Sequence, residues 1–442
     1  MKRVLSVLLA LYLLVGVVPL DASAAEEKFT VEDGKLIMYT GPGGDVVIPS
    51  SVTHIDSEAF KRDFMTHADL RTVTIPSSVQ IIDPKVFSDF EDLTKISVDP
   101  SNTAYADIDG VLFSKDMKTL IQFPGGKVSA NYVIPSSVTD IESYAFAFCE
   151  KLSSVVIPQS VTEIESFVFL NCKALKDVTI PNSITAINSY AFEYCTSLTN
   201  VTIPSSVMWI GKVAFGSCTK LKSISVASGN SYYADNDGVL FTKNMKELIQ
   251  FPAGKGSENY IIPDSVTRIE YFAFQGCADL KCVTIPENIT EVHDTAFYRC
   301  SSLTSVVLLD GVKTIGPSAF CDCTKLASIT IPASLTEVKP SAFTRCSSLK
   351  DIYYGGSQAQ WNRVQIANTV FDNNEDFTSA KVHYNSTGPK PTEPTVGGFS
   401  DVKQSAYYAD AVLWAVENGI TSGIGGGKFA PAQTCKREQI VT

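Results

Sequence analysis

The side chains best suited to acid–base, nucleophilic or metal chemistry are four histidines, eleven cysteines and two close aspartate pairs. His54, His67, His293 and His383 lie far apart, and none is followed by a Ser-His-Asp order or a second metal ligand at short spacing. No C-x-x-C pair and no glycine-rich phosphate loop occurs. Asp107 with Asp109, and Asp235 with Asp237, place carboxylates two residues apart, a spacing that suits calcium or the capping of a tight turn. The turn is the favoured reading, because each pair runs directly into Gly-Val-Leu-Phe. Catalysis wants one singular constellation, and these candidates recur or scatter instead. The expectation is a chain with no enzymatic activity, cofactor or metal.

What positions these residues is a repeat. The phrase IPSSVT-x-I…AF-x-x-C-x-x-L-x-x-V-T-I-P returns along the chain. The residues closing each V-x-I triplet are Ile48, Ile75, Val98, Ile134, Ile157, Ile180, Ile203, Val226, Ile262, Ile285, Leu308, Ile331 and Tyr354. Their steps are 27, 23 and 36, then four of 23, then 36 and four of 23 again, so the pattern from Ile75 recurs every 128 residues. Thirteen coils are expected. Each triplet alternates in β-branched residues, as a short strand does, and short crossings force neighbouring strands to run parallel. Proline ends most of them, since it cannot donate to the ladder. Ile164 and its equivalents point inward, and Phe60, Phe87, Phe146, Phe169, Phe192, Phe215, Phe274, Phe297, Phe320 and Phe343 close the far side. One coil cannot bury such a face; stacking can. In the two 36-residue coils Asp109-Gly110-Val111-Leu112-Phe113 and Asp237-Gly238-Val239-Leu240-Phe241 each lead through a charged turn to Leu-Ile-Gln-Phe-Pro, and a β-hairpin insertion is expected in each.

The repeat also sorts the chemistry. Cys149, Cys172, Cys195, Cys218, Cys277, Cys300, Cys323 and Cys346 share one column. Equivalent side chains in stacked coils point the same way, whereas a disulfide needs two Cβ atoms converging to ~3.8 Å, so buried free thiols are expected. Cys282 falls in a polar column and should be exposed. His54 shares its column with Asp140, Glu163, Ala186, Trp209 and Arg268, the mark of variable surface. The outward triplet column, from Val47 to Tyr353, forms a nearly uncharged ribbon of ~58 Å. Trp209, Tyr232 and Tyr233 break this aromatic-poor surface; all three are read as exposed and as candidate ligand contacts.

The flanks add context. Lys2 and Arg3 precede an apolar run from Val4 to Val18, and Ala22-Ser23-Ala24 follows Pro19. That run would reach ~22 Å as a helix, short of a membrane's ~30 Å, so residues 1–24 are expected to be a cleaved signal peptide. No later stretch is long and apolar enough to span a membrane. A net charge of −11 without a basic run argues against nucleic acid and against electrostatic membrane attachment. The solenoid is assigned to residues 25–385, and a Pro-rich linker to 386–398.

The repeat resembles the bacterial BspA-like branch of the leucine-rich repeats. It keeps the L-x-x-L-x-L skeleton as Leu152, Val155 and Ile157 and adds Ile-Pro and Ala-Phe. The likeness runs from about Val46 to Tyr384, and Ile-Tyr-Tyr-Gly-Gly with Trp361-Asn362 resembles the family's closing cap. It implies a right-handed α/β-type solenoid with one parallel sheet, and a surface protein that binds host or bacterial proteins. Residues 399–442 resemble an S-layer homology module through Phe399-Ser400-Asp401-Val402, the helical Tyr408–Val416 stretch, Phe429-Ala430-Pro431 and Cys435-Lys436-Arg437. That resemblance implies a small helical unit holding cell-wall polysaccharide, with Asp401 and Trp414 in the pocket and Arg437 as anion contact. Lys436 stands where the family usually has Thr, and the chain stops inside the expected second helix, so further modules are expected beyond it. Together these imply a secreted bacterial cell-wall protein used for adhesion. The alternative is the targeting scaffold of a surface enzyme whose catalytic module lies beyond residue 442.

Overall fold

The computed structural model describes residues 28–61, 69–367, 374–388, 395–396, 399–403 and Val412. The chain divides into two compact units, Met1–Ala130 with Pro135–Leu152, and Asn131–Ile134 with Ser153–Thr442. Both are built from β-solenoid coils, with about fourteen turns in all and very little helix.

The expected triplets form parallel ladders in coil register, with one shift at Gly44/Asp45. In the first unit Gly44–Val47, Leu70–Ile75 and Lys95–Val98 pair side by side. In the second, Asn200–Ile203 pairs with Ser223–Val226 so that Val201 lies beside Ile224. Val201 and Ile203 are buried while Asn200 and Thr202 face out, the period-2 pattern of a half-buried strand. The structure adds a second parallel ladder of two-residue strands, such as Glu163–Ile164, Ala186–Ile187 and Trp209–Ile210. The isoleucines of these strands are the inward column, but two residues are too few to show alternation in the sequence.

A fourteenth triplet strand, Lys381–Tyr384, pairs with Asp351–Tyr354. Its coil runs past Gly355-Gly356 and the one-turn helices Gln358–Trp361 and Glu375–Thr378, which hides the 23-residue rhythm. In each 36-residue coil the expected hairpin is a three-stranded meander. Tyr105–Ile108, Val111–Ser114 and Thr119–Gln122 form it in the first unit, and Tyr233–Asn236, Val239–Thr242 and Glu247–Gln250 in the second. Asp109-Gly110 and Asp237-Gly238 all have φ between 48° and 77°, as a two-residue hairpin turn with the right twist requires.

The phenylalanine column is a stacked spine within each unit. Ring centroids lie 5.1 Å apart for Phe169–Phe192 and 5.5 Å for Phe192–Phe215. The hairpin coils contribute Phe123 and Phe251, and Phe377 extends the row 4.4 Å from Phe343. Beside the spine the column cysteines are buried free thiols. Five of them, Cys195, Cys218, Cys300, Cys323 and Cys346, point Sγ at a spine phenylalanine carbonyl one coil earlier, at 3.1–3.2 Å. Burial pushes the Cys218 thiol up to about 12, and Cys195, Cys300, Cys323 and Cys346 well above their usual value. Thiols so protonated are poor nucleophiles. Cys282 is half-buried and accepts a hydrogen bond from Ser305 Oγ at 3.0 Å.

The far side is built unusually. In most of the regular coils two residues, such as Tyr190 (φ 61°) and Tyr194 (φ 59°), take the left-handed conformation. That conformation costs roughly 1–2 kcal/mol per residue. It turns alternate amides along the stack: Tyr190, Phe192 and Tyr194 donate to the carbonyls of Lys212, Ala214 and Gly216 at 2.8–3.0 Å. These hydrogen bonds offset the strain.

Candidate ligand-binding site

The second ladder is interrupted where each meander enters. In the second unit Trp209–Ile210 ends one sheet, while Glu247–Gln250 pairs onward with Arg268–Ile269 and belongs to another. The Ile210 amide would be left without a ladder partner. Instead it donates to the Tyr233 hydroxyl at 2.8 Å. Tyr233 is therefore 7% exposed. This corrects the expectation that it stands on the surface: its ring plugs the gap in the ladder. Burial raises its pKa, the Ile210 amide opposes the rise and Glu247 adds to it.

Asn230 sets this arrangement. Its buried carboxamide donates to the Pro204 and Val207 carbonyls and accepts from the amides of Tyr232 and Tyr233, at 2.8–2.9 Å throughout. With Tyr233 held inward, Tyr232 must turn outward and is 49% exposed. Trp209, on the last strand before the gap, is 59% exposed.

Between them opens a recess of about 560 Å³, lined by Trp209, Lys212, Tyr232, Glu247, Arg268, Glu270 and Tyr271 among others. Its charges sum to zero, Lys212 and Arg268 against Glu247 and Glu270. Arg268 Nε lies 2.8 Å from Glu270 Oε1, and Lys212 Nζ sits 4.2 Å over the Tyr271 ring. Gly211 keeps the floor low: a Cβ there would fall 2.4 Å from the Ser189 amide nitrogen. Trp209 and Tyr232 are thus brought to one cavity, as two aromatic faces beside polar groups. From the sequence, Arg268 is marked only as variable surface, and Lys212 and Tyr271 are not singled out. The signal was there: 128 residues earlier the same columns carry Pro84, Asp140 and Ser143.

The remaining candidates serve the fold. Asp107 accepts from the Val98 amide and Asp235 from the Val226 amide, while Asp109 and Asp237 pair with Lys127 and Lys255. Those carboxylates are turn and strand ties. Among the described residues no group of three His, Cys, Asp or Glu side chains is placed to hold a metal ion. His54 lies 2.8 Å from Asp83, His383 lies 2.7 Å from Asp351, and the His293 ring packs 5.4 Å from Tyr271. His67, Trp414, Cys435, Arg437 and the proposed signal segment lie outside the described residues. Asp401 belongs to the strand Phe399–Lys403, which pairs with Thr395–Val396; its side chain lies outside the described part. Among the described residues no helix is long and apolar enough to cross a membrane.

Parallel coils, an aliphatic triplet ladder and a stacked phenylalanine spine define a leucine-rich-repeat scaffold. The chain belongs to the BspA type leucine rich repeat family, whose profile matches residues 43–132, 121–236 and 251–381 in six copies. Residues 398–441 match the S-layer homology domain. Among solved structures the chain is similar to a leucine rich cell surface protein from Faecalibacterium prausnitzii. The two share 29% identity at a TM-score of 0.56, over 77% of this chain and 96% of that one. The pneumococcal vaccine antigen PcpA shares 22% identity over 80% and 95%, TM-score 0.45. A Bacteroides ovatus leucine-rich repeat protein shares 25% over 80% and 97%, TM-score 0.40. No protein of curated function matches the chain. Repeats of this family joined to an S-layer homology domain point to a cell-surface-anchored repeat protein of bacteria.

Proposed function

We propose that this is a secreted bacterial adhesion protein whose repeats recognise a protein on a host or bacterial surface. Its C-terminal region holds it to cell-wall polysaccharide. The observation that supports this reading most is the joining, in one chain, of a long repeat scaffold to an S-layer homology match. The scaffold is suited to recognition because stacking within each unit leaves an ordered outward strand face whose side chains cost little entropy to present. Its exposed triplet positions include Val47, Val133 and Val156. In the wall-binding region, Asp401 and Trp414 would line the polysaccharide pocket and Arg437 would contact its anion. The test is a comparison of the full chain with a protein lacking residues 399–442. The shorter protein should lose binding to purified cell-wall polymer and keep its binding to a surface protein partner. Equal retention of cell wall by both would overturn the division of labour.

A further inference from the structure

We propose that the recess at the ladder break of the second unit is a binding site for neutral glycans, independent of the wall-binding region. Three observations carry this. The first is concavity with exposed aromatic faces. A recess of about 560 Å³ is of the size that holds a small ligand, and Trp209 and Tyr232 offer it unoccupied ring surface. Apolar surface of that kind at a cavity mouth wants a ligand with an apolar face of its own.

The second is charge. Of the charged groups lining the recess, Lys212 and Arg268 balance Glu247 and Glu270. Arg268 lies against Glu270 and Lys212 on Tyr271, and with no net charge the recess has no electrostatic preference for an anion or a cation. What the carboxylates and guanidinium still offer is hydrogen bonding to neutral donors and acceptors, such as hydroxyls. A pyranose ring joins both features: an apolar C–H face to stack on indole or phenol, and a rim of hydroxyls.

The third removes the competing occupant. An interrupted ladder is where an extended peptide would add a strand, using the free edge amides. Here the Ile210 amide is already taken by the Tyr233 hydroxyl at 2.8 Å. The edge is capped, and strand addition has lost its first hydrogen bond. The recess therefore favours a ligand that binds through side chains, as a sugar does.

The equivalent recess of the first unit supplies safe variants for a test. It holds Ile81 and Ala104 where the second unit has Trp209 and Tyr232, on the same backbone device. Trp209→Ile and Tyr232→Ala therefore introduce residues the fold already carries there. The experiment is isothermal calorimetry on the full chain with a panel of neutral hexasaccharides of glucose, mannose, xylose and N-acetylglucosamine. The expected result is binding of at least one member, weakened about tenfold or more by either variant, with the thermal midpoint unchanged. Removal of residues 399–442 should leave this binding intact, which separates it from the wall-attachment reading. Three results would overturn the proposal. One is no binding by any member at roughly 10 mM; another is binding indifferent to Trp209→Ile. The third is a protein partner, and no glycan, whose binding depends on Trp209.

Discussion

In the first unit the Ile82 amide donates to the Tyr105 hydroxyl at 3.0 Å; in the second, Ile210 donates to Tyr233 at 2.8 Å. Asn102 and Asn230 brace the two tyrosines through the same four hydrogen bonds. The surfaces built on this shared device differ. In the first unit Asp83 rises into the gap and is held by His54 and Lys35, Lys85 lies over the Tyr144 ring, and only about 190 Å³ stays open. In the second, Gly211 and Val213 take the places of Asp83 and Lys85, Trp209 and Tyr232 those of Ile81 and Ala104, and the recess opens to about 560 Å³. Backbone and bracing are kept, while the side chains around them are free to vary. A recess with the same origin can thus be closed by ion pairs or left open and aromatic.

The deepest shared part should break both units alike. Phe123→Ala and Phe251→Ala each remove a fully buried spine ring from a hairpin coil. Each should cost about 3–5 kcal/mol, seen as lost hydrogen-exchange protection in the unit that carries it. A spine change that left its own unit's protection intact would show that the units are held by other means. Next come the braces. Asn102→Ala or Asn230→Ala strips four buried partners and should cost about 2–4 kcal/mol in urea unfolding. Only the second change should also reorient Tyr232 and alter the open recess, which NMR of that ring would detect. Tyr105→Phe and Tyr233→Phe delete just the hydroxyl that serves the ladder edge. Each should cost about 1–2 kcal/mol, the price of one unpaired buried amide, and the two values should agree.

The smallest effect is specific to the second unit. Glu193 is half-buried there, accepts from Gln275 Nε2 at 3.3 Å, and has its pKa raised by desolvation. A carboxyl whose folded pKa exceeds its unfolded one supports the fold fully below the unfolded value. That support fades as pH rises through the folded value. Glu193→Gln keeps the shape and removes the charge, so it should raise the thermal midpoint at neutral pH and leave it unchanged in acid below the unfolded pKa. A gain of equal size at both ends of that range would show that the carboxyl's charge is irrelevant.

Much of this was legible in the residues. Inward columns such as Ile157, Phe192 and Cys195 recur at fixed spacing because each faces the same column of the next coil, so burial writes itself into period. The two-residue ladder is not legible, because Ile164 alone looks the same whether or not its backbone pairs. The final strand Lys381–Tyr384 escaped because its coil is longer and interrupted by helical turns. Tyr233 was misplaced for a different reason. Tyr232 and Tyr233 are chemically near-identical neighbours, and which of them turns inward is decided by Asn230 and by the lone Ile210 amide. That amide belongs to the preceding coil, 23 residues away. The open recess is likewise a property of what is missing at Gly211, and a glycine in sequence does not say which backbone approaches it.

The left-handed turns of the far side also have an electrical consequence. Parallel sheets send their amides alternately to either neighbour, so strand dipoles largely cancel. Along the spine of the second unit the bonds run one way only, from Phe274 to Ala296, Phe297 to Ala319 and Phe320 to Ala342, each amide pointing toward the later coil. Aligned peptide dipoles of this kind sum, as they do in a helix but with the opposite polarity: the positive pole falls at the C-terminal coil. There the last spine amide, of Phe343, meets the side-chain oxygen of the fully buried Asn374 at 3.0 Å. Glu375 and Asp376 follow it in the first turn of the short helix. A column of neutral backbone thus acts as a weak bar magnet does, with one amide side chain and two acids gathered at its end.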